Sequence, residues 1–200
     1  MRRVVITGIG AVTPLANTFA SSWQLIKRGI SGISSITKFD ASRLPWKVAG
    51  ELKGFDPSVF LSKKEILRLD PFVQYAVAAA TMAVEDAGIP NFKSQISNFK
   101  FENAGVIIGS SRGGITTIEK GLQKLYSSCL SPIAYRLSPY LMPSTTISMA
   151  ASYAAQKLVV TGYCLGISNA CASGTNAVGE AYRLIKHGYS DVMIAGGAEA

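Results

Sequence analysis

The chain has 200 residues, 48% hydrophobic and 16% charged, and its 20 Lys and Arg against 12 Asp and Glu give a formal charge of +8. This length supports one well-cored domain, and the low charge density with 19 glycines excludes a coiled coil or a disordered chain. A single histidine and three cysteines without C-x-x-C spacing (Cys129, Cys164 and Cys171) argue against a Cys/His zinc site, so no metal is expected. That odd cysteine set fits a reducing, cytoplasmic compartment.

The positive charge calls for an anionic partner. The basic residues are scattered, without an aromatic-interleaved stripe or reader motif, so they do not point to nucleic acid. The apolar start at residues 4–6 is too short for a signal peptide and is broken by Gly8 and Gly10. No stretch reaches the length of a membrane span; the apolar region 76–84 is interrupted by Thr81 and closed by Glu85-Asp86.

In chain order, residues 4–9 are β-branched and end in Gly8-Ile9-Gly10, a buried strand entering a tight turn. Residues 21–29 begin with Ser21 and end on Gly29, a capped short helix. Residues 30–60 read as irregular, with one candidate edge strand at 47–52. Ser62 with Glu65 three positions on is a capping box. Asp70-Pro71 then starts the strongest helix: Phe72, Tyr75, Ala76, Ala79, Ala80, Ala83 and Ala87 recur at helical spacing, and Gly88 closes it.

A second buried strand at 104–108 runs into Gly109-Ser110-Ser111-Arg112-Gly113-Gly114 and a helix to about residue 127. An alanine-rich helix over 144–158, a strand at 165–168, a helix at 172–187 and a strand at 191–195 follow. Apolar strands alternating with crossover-length helices predict an α/β fold with a mostly parallel sheet covered on both faces. No repeat or linker divides residues 1–200, which read as one domain. The ending Gly196-Gly197-Ala198-Glu199-Ala200, without a closing helix, reads as cut rather than finished.

Several motifs lead nowhere. Gly8-Ile9-Gly10 lacks the third glycine of a dinucleotide fingerprint and has no acidic residue about 20 positions on. Gly109-Ser110-Ser111-Arg112-Gly113 matches the G-x-S-x-G elbow of hydrolases. Between it and His187, however, the acids are Glu119 and Glu180, and Glu180 shares a helix with His187 two turns away. His187 itself precedes Gly188 and reads as a helix cap at the negative end of the dipole.

Cys171 is the stronger candidate. It lies in Asn169-Ala170-Cys171-Ala172-Ser173-Gly174-Thr175, between an apolar strand and a helix that starts with small residues. A thiol there faces unpaired N–H groups and the positive end of the helix dipole, which favour a thiolate nucleophile. The residues alone leave open a buried structural cysteine.

Along its whole length the chain resembles the N-terminal half of β-ketoacyl-[acyl-carrier-protein] synthases of the elongating type II kind. The resemblance rests on Arg3-Val4-Val5-Ile6-Thr7-Gly8-Ile9-Gly10 with Thr13-Pro14, Ser31-Gly32-Ile33, Lys64-Glu65 and Asp70-Pro71-Phe72. It continues through residues 83–88, Gly109-Ser110 with Gly113-Gly114, Pro143-Ser144-Thr145, Asn169-Ala170-Cys171-Ala172-Ser173-Gly174 and Gly196-Gly197-Ala198-Glu199. The order and spacing of these pieces are more specific than any one of them.

This resemblance implies the N-terminal half of a thiolase-like fold, with a mixed, mostly parallel five-stranded sheet flanked by helices, in a homodimer without cofactor. It implies a decarboxylative condensation toward a fatty acid or polyketide. Cys171 would take an acyl group from acyl carrier protein, and the carbanion of malonyl carrier protein would then attack that thioester. Gly109, Ser110 and Arg112 fall in the substrate-binding region, Arg112 where long-chain members carry an apolar gate. Lys63, Lys64 and Arg68 fall on the helix that docks the acidic carrier, with a solvated helix face as the alternative. Tyr163 stands where Gly-Pro is common, and Leu67 falls in a segment that is often basic.

The family's two catalytic histidines, its lysine and its second oxyanion N–H lie in the C-terminal half. Residues 1–200 by themselves are therefore expected not to condense. A non-catalytic dimerising or carrier-binding module and a thiolase-like acyltransferase are the alternatives.

Overall fold

The computed structural model describes residues 2–89, 103–127 and 138–200, so Cys129 lies outside the described residues. The elements run α1 (Phe19–Lys27), β1 (Ser34–Ser35), β2 (Val48–Ala49), α2 (Lys63–Arg68), α3 (Pro71–Asp86), β3 (Ala104–Gly109), α4 (Ile115–Ser127), α5 (Leu141–Thr145), α6 (Met149–Leu158), β4 (Cys164–Ile167), α7 (Ser173–Lys186) and β5 (Val192–Gly197). β3 is the central strand of a parallel sheet ordered β4-β3-β5, in register so that Gly109 pairs with both Ile167 and Gly197. All three strands thus end at the same edge, where ligands of parallel sheets gather.

Every residue of β3 is buried, as a parallel strand covered on both faces requires. Its alternating side chains serve two cores. Val106 and Ile108 join Phe72, Val77, Ala150 and Ala154 of α3 and α6 on one face. Ile107 points the other way, onto Ala177, Ala181 and Leu184 of α7. Burying each of these valine and isoleucine side chains contributes about 1.5–3 kcal/mol.

The capping box forms as the sequence predicts, Ser62 accepting from the Glu65 N–H and the Glu65 carboxylate accepting from the Ser62 N–H. Asp70 does more than start α3. One carboxylate oxygen accepts from the Phe72 N–H at 3.2 Å, and the other accepts from the Thr117 N–H and hydroxyl at 2.7 Å each. One buried carboxylate therefore closes the first turns of both α3 and α4.

The structure departs from the sequence reading at four places. Among the described residues the parallel sheet holds three strands, not the five that the resemblance implies. Residues 4–9 join no ladder and instead run along α3, held by the Ile9 N–H donating to Asp86 at 2.8 Å. A Cβ on Gly8 would lie 2.2 Å from the Ala83 carbonyl oxygen, so these glycines serve close approach to the helix. The alanine-rich helix is also broken: Thr146 is extended (φ −68°, ψ 128°), separating α5 from α6, where the Ser144 hydroxyl donates to the Arg68 carbonyl. The candidate edge strand shrinks to Val48–Ala49, paired antiparallel with Ser34–Ser35.

Candidate active site

Cys171 sits in the turn from β4 into α7, at the edge where the three strands end. Its thiol is free and exposed and makes no hydrogen bond to a described residue. Ala170 before it is left-handed, φ +46°, which costs a non-glycine residue roughly 1 kcal/mol. The buried Ser173 holds that turn. Its hydroxyl donates to the Ala170 carbonyl at 2.7 Å and accepts from the Asn169 N–H at 2.8 Å, and the Ser173 N–H donates to Ala170 at 3.2 Å.

Glycines let the start of α7 rest directly on the strand ends. A Cβ on Gly109 would fall 2.3 Å from the Ser173 backbone, and one on Gly197 would fall 3.0 Å from Gly174 Cα. Gly109, expected in the substrate-binding region, is occupied by this packing.

Ser110 is buried and equally engaged. Its hydroxyl donates to the Glu199 carboxylate at 3.0 Å and accepts from the Gly113 N–H at 3.0 Å. The Ser111 N–H also donates to Glu199, while the Ala198 N–H donates to the Gly109 carbonyl at 3.0 Å. Glu199 thereby pins the turn at residues 110–113 to the end of β5. The sequence reading gave Glu199 no role; its place just beyond the apolar strand was the available signal. Arg112, between these pinned residues, is exposed, and no described residue pairs with its guanidinium. Within residues 1–200 it therefore escapes the cost of a buried, unpaired cation.

Of the three cations on α2, Lys63 and Lys64 are exposed. Arg68 is half-buried and stacks its guanidinium over the Tyr140 ring at 4.3 Å, which gives it a fixed direction. His187 occupies the C-cap of α7, as expected. At about 1.5 Å of rise per residue it lies roughly 24 Å from Cys171 and cannot serve that sulfur. Among the described residues no group of His, Cys, Asp and Glu could hold a metal ion, and no helix is long and apolar enough to cross a membrane.

The parallel α/β sheet, with a cysteine at the head of a helix packed on its strand ends, agrees with the thiolase-like fold that the resemblance implies. The family model for the β-ketoacyl synthase N-terminal domain matches residues 1–200, and the chain belongs to that family. It is 40% identical over 198 residues to 3-oxoacyl-[acyl-carrier-protein] synthase 2 of Coxiella burnetii and 38% identical over 198 residues to that of Vibrio cholerae. Each alignment covers 99% of this chain and 46% of the relative, so the chain spans about half the length of the curated relatives it matches. Among solved structures, the ishigamide ketosynthase/chain length factor superposes with a TM-score of 0.88 at 28% identity, covering 100% of this chain and 48% of the other. A type II polyketide ketosynthase, solved in complex with its acyl-carrier protein, shares the fold with a TM-score of 0.77 at 22% identity, covering 100% and 52%.

Proposed function

We propose that this chain is the nucleophile-bearing part of a 3-oxoacyl-[acyl-carrier-protein] synthase, with Cys171 as the acyl acceptor. The carrying observation is an exposed, unengaged thiol in a left-handed turn at the start of α7. The Cys171 sulfur attacks the thioester carbonyl of an acyl carrier protein, forming a new C–S bond. The carrier's own C–S bond breaks, and its sulfur leaves and takes up the proton released by the cysteine. The tetrahedral oxyanion is met by the Cys171 backbone N–H. Carbon dioxide then leaves malonyl carrier protein, and the resulting carbanion displaces the Cys171 sulfur to give the 3-oxoacyl product.

No imidazole of residues 1–200 reaches Cys171, since the sequence holds one histidine and it caps the far end of α7. That favours, as the second reading, a carrier-binding part that does not condense alone. Lys63, Lys64 and Arg68 dock the carrier. A second copy of the chain pairs along β4, which lies at the edge of the described sheet with Cys164 and Leu165 exposed. Two exposed free thiols suit a cytoplasmic setting.

The test is intact-mass spectrometry after incubation with acyl-loaded carrier protein. The wild-type chain gains one acyl group, Cys171→Ala gains none, and Cys164→Ala behaves as wild type. An adduct that survives Cys171→Ala overturns the proposal.

A further inference from the structure

We infer that the β1–β2 hairpin docks on an anionic lipid surface, its outward apolar face entering the headgroup boundary while its cations meet the lipid phosphates. The ladder pairs Ser34 with Ala49 and Ser35 with Val48, and the Ile36 N–H continues it to the Lys47 carbonyl at 3.0 Å. Side chains alternate along such a pair, so Trp46 and Val48 share one face while Ile36 and Ala49 take the other. Ile36 and Ala49 are half-buried on the inner face, whereas Val48 is exposed and Trp46 stands 79% in solvent. The outward face of a hairpin is ordinarily polar, and here it is not. Phe39 and Leu44, on the loop that joins the strands, are exposed as well.

That loop is held from within. The buried Glu51 accepts from the Thr37 N–H and hydroxyl and from the Lys38 N–H. The Leu44 N–H donates to the carbonyl of the buried Ala41 at 3.0 Å. The apolar side chains are therefore presented on a fixed backbone, and little freedom is lost when they are covered. Residues 36–49 carry three cations, Lys38, Arg43 and Lys47, against one acid, Asp40. Asp40 accepts from the Ser42 N–H at 2.9 Å, and all three cations are exposed. Among the described residues neither Arg43 nor Lys47 has an ion pair.

Charge and side-chain chemistry together select the occupant. Tryptophan settles at the headgroup level of a bilayer, and neighbouring lysines and arginines are drawn to anionic lipid. A nucleic acid would meet the cations and leave Val48 and Leu44 in water. A folded protein partner would need a cleft shaped to the projecting indole, whereas the fluid headgroup boundary closes round it. The docking is peripheral, since no described helix is long and apolar enough to cross a membrane.

The experiment is cosedimentation of the full chain with phosphatidylcholine vesicles, with and without about a third of phosphatidylglycerol. The wild-type chain should bind the anionic vesicles at least about tenfold more tightly than the neutral ones. Trp46→Ala should weaken that binding by about tenfold. Arg43→Gln should weaken it by about fivefold at low salt and by less at high salt. Ile26→Ser, which removes an exposed apolar side chain from α1, should leave it unchanged. The chain has two tryptophans, so in a Trp23→Phe chain Trp46 is the remaining indole, and its emission should shift to the blue on anionic vesicles. Urea unfolding checks that each variant is folded; if Trp46→Ala is not, the emission shift and Arg43→Gln decide. Equal binding to both vesicles, no blue shift, or binding that Trp46→Ala leaves intact overturns the inference. So does an equal loss with Ile26→Ser, which means general adhesion of apolar surface. A Trp46→Ala chain of lower mass by light scattering without lipid makes the face a contact between copies and also overturns it. None of these outcomes depends on acyl transfer to Cys171.

Discussion

Gly109→Ala isolates the packing that sets the position of Cys171. The added methyl carbon would fall 2.3 Å from the carbonyl carbon and oxygen of Ser173 and 2.7 Å from the Gly174 nitrogen, all of them backbone atoms. Ordinary carbon contacts begin near 3.4 Å, so the first turn of α7 must retreat by about 1 Å. Overpacking of this kind costs about 1–3 kcal/mol of stability. A displacement of about 1 Å at a reacting group is also worth roughly a hundredfold in rate. Gly179→Ala is the matched control. It lies in the same helix with nothing within 4 Å of the new carbon, so it should stabilise by about 0.5–1 kcal/mol. Stability would be read from urea unfolding, and acyl transfer to Cys171 from time-resolved intact mass. A Gly109→Ala chain that is acylated at the wild-type rate would refute the claim that β3 positions the cysteine.

Asp70→Ala removes the acceptor for two N–H groups and one hydroxyl at the starts of α3 and α4. It should lower stability by about 3 kcal/mol in urea unfolding. Asp70→Asn keeps an acceptor oxygen and should cost less. Glu51 gives a pH dependence. The Thr37 hydroxyl, with the Lys38 and Thr37 N–H groups, donates to its carboxylate and holds it below the usual carboxylate range. Because the native value is lowered, this contribution is complete above the unfolded-state value and disappears as pH falls through the native one. Acidification should therefore lower the unfolding midpoint of the wild-type chain more than that of Glu51→Gln, and parallel pH profiles would disprove the clamp.

The starts of α2 and α3 were legible, because Ser62 with Glu65 and Asp70-Pro71 act within one turn and need no tertiary partner, whereas Ser21, expected to open the first helix, lies inside α1 and donates its N–H to the actual cap, Thr18. The position of Cys171 in a strand-to-helix turn was legible for a similar reason, as the junction of an apolar strand and a small-residue helix is local. What lay beyond reach came from distant contacts. The second half of the Asp70 cap is given to Thr117, on another helix. The break after Thr145 follows from Ser144 bonding to Arg68 and from a close approach to Gly114, neither of which alanine-rich periodicity can register. Residues 4–9 have the β-branched composition of a strand, yet Asp86 and the small residues of α3 take them instead. The turn at Ala170 was hidden because the residue bent into the left-handed region is not glycine.

β3 has a consequence beyond packing. Since Ile107 belongs to the layer under α7 while Val106 and Ile108 belong to the layer under α3 and α6, neither layer can open without tearing the same strand. The described sheet and its helices should melt as one cooperative unit, with the slowest amide exchange on β3. The elbow carrying Cys171 rests on the end of that strand at Gly109. Although exposed, the turn therefore keeps its shape for as long as the whole domain stays closed, and its lifetime is set by a strand remote from it in the chain.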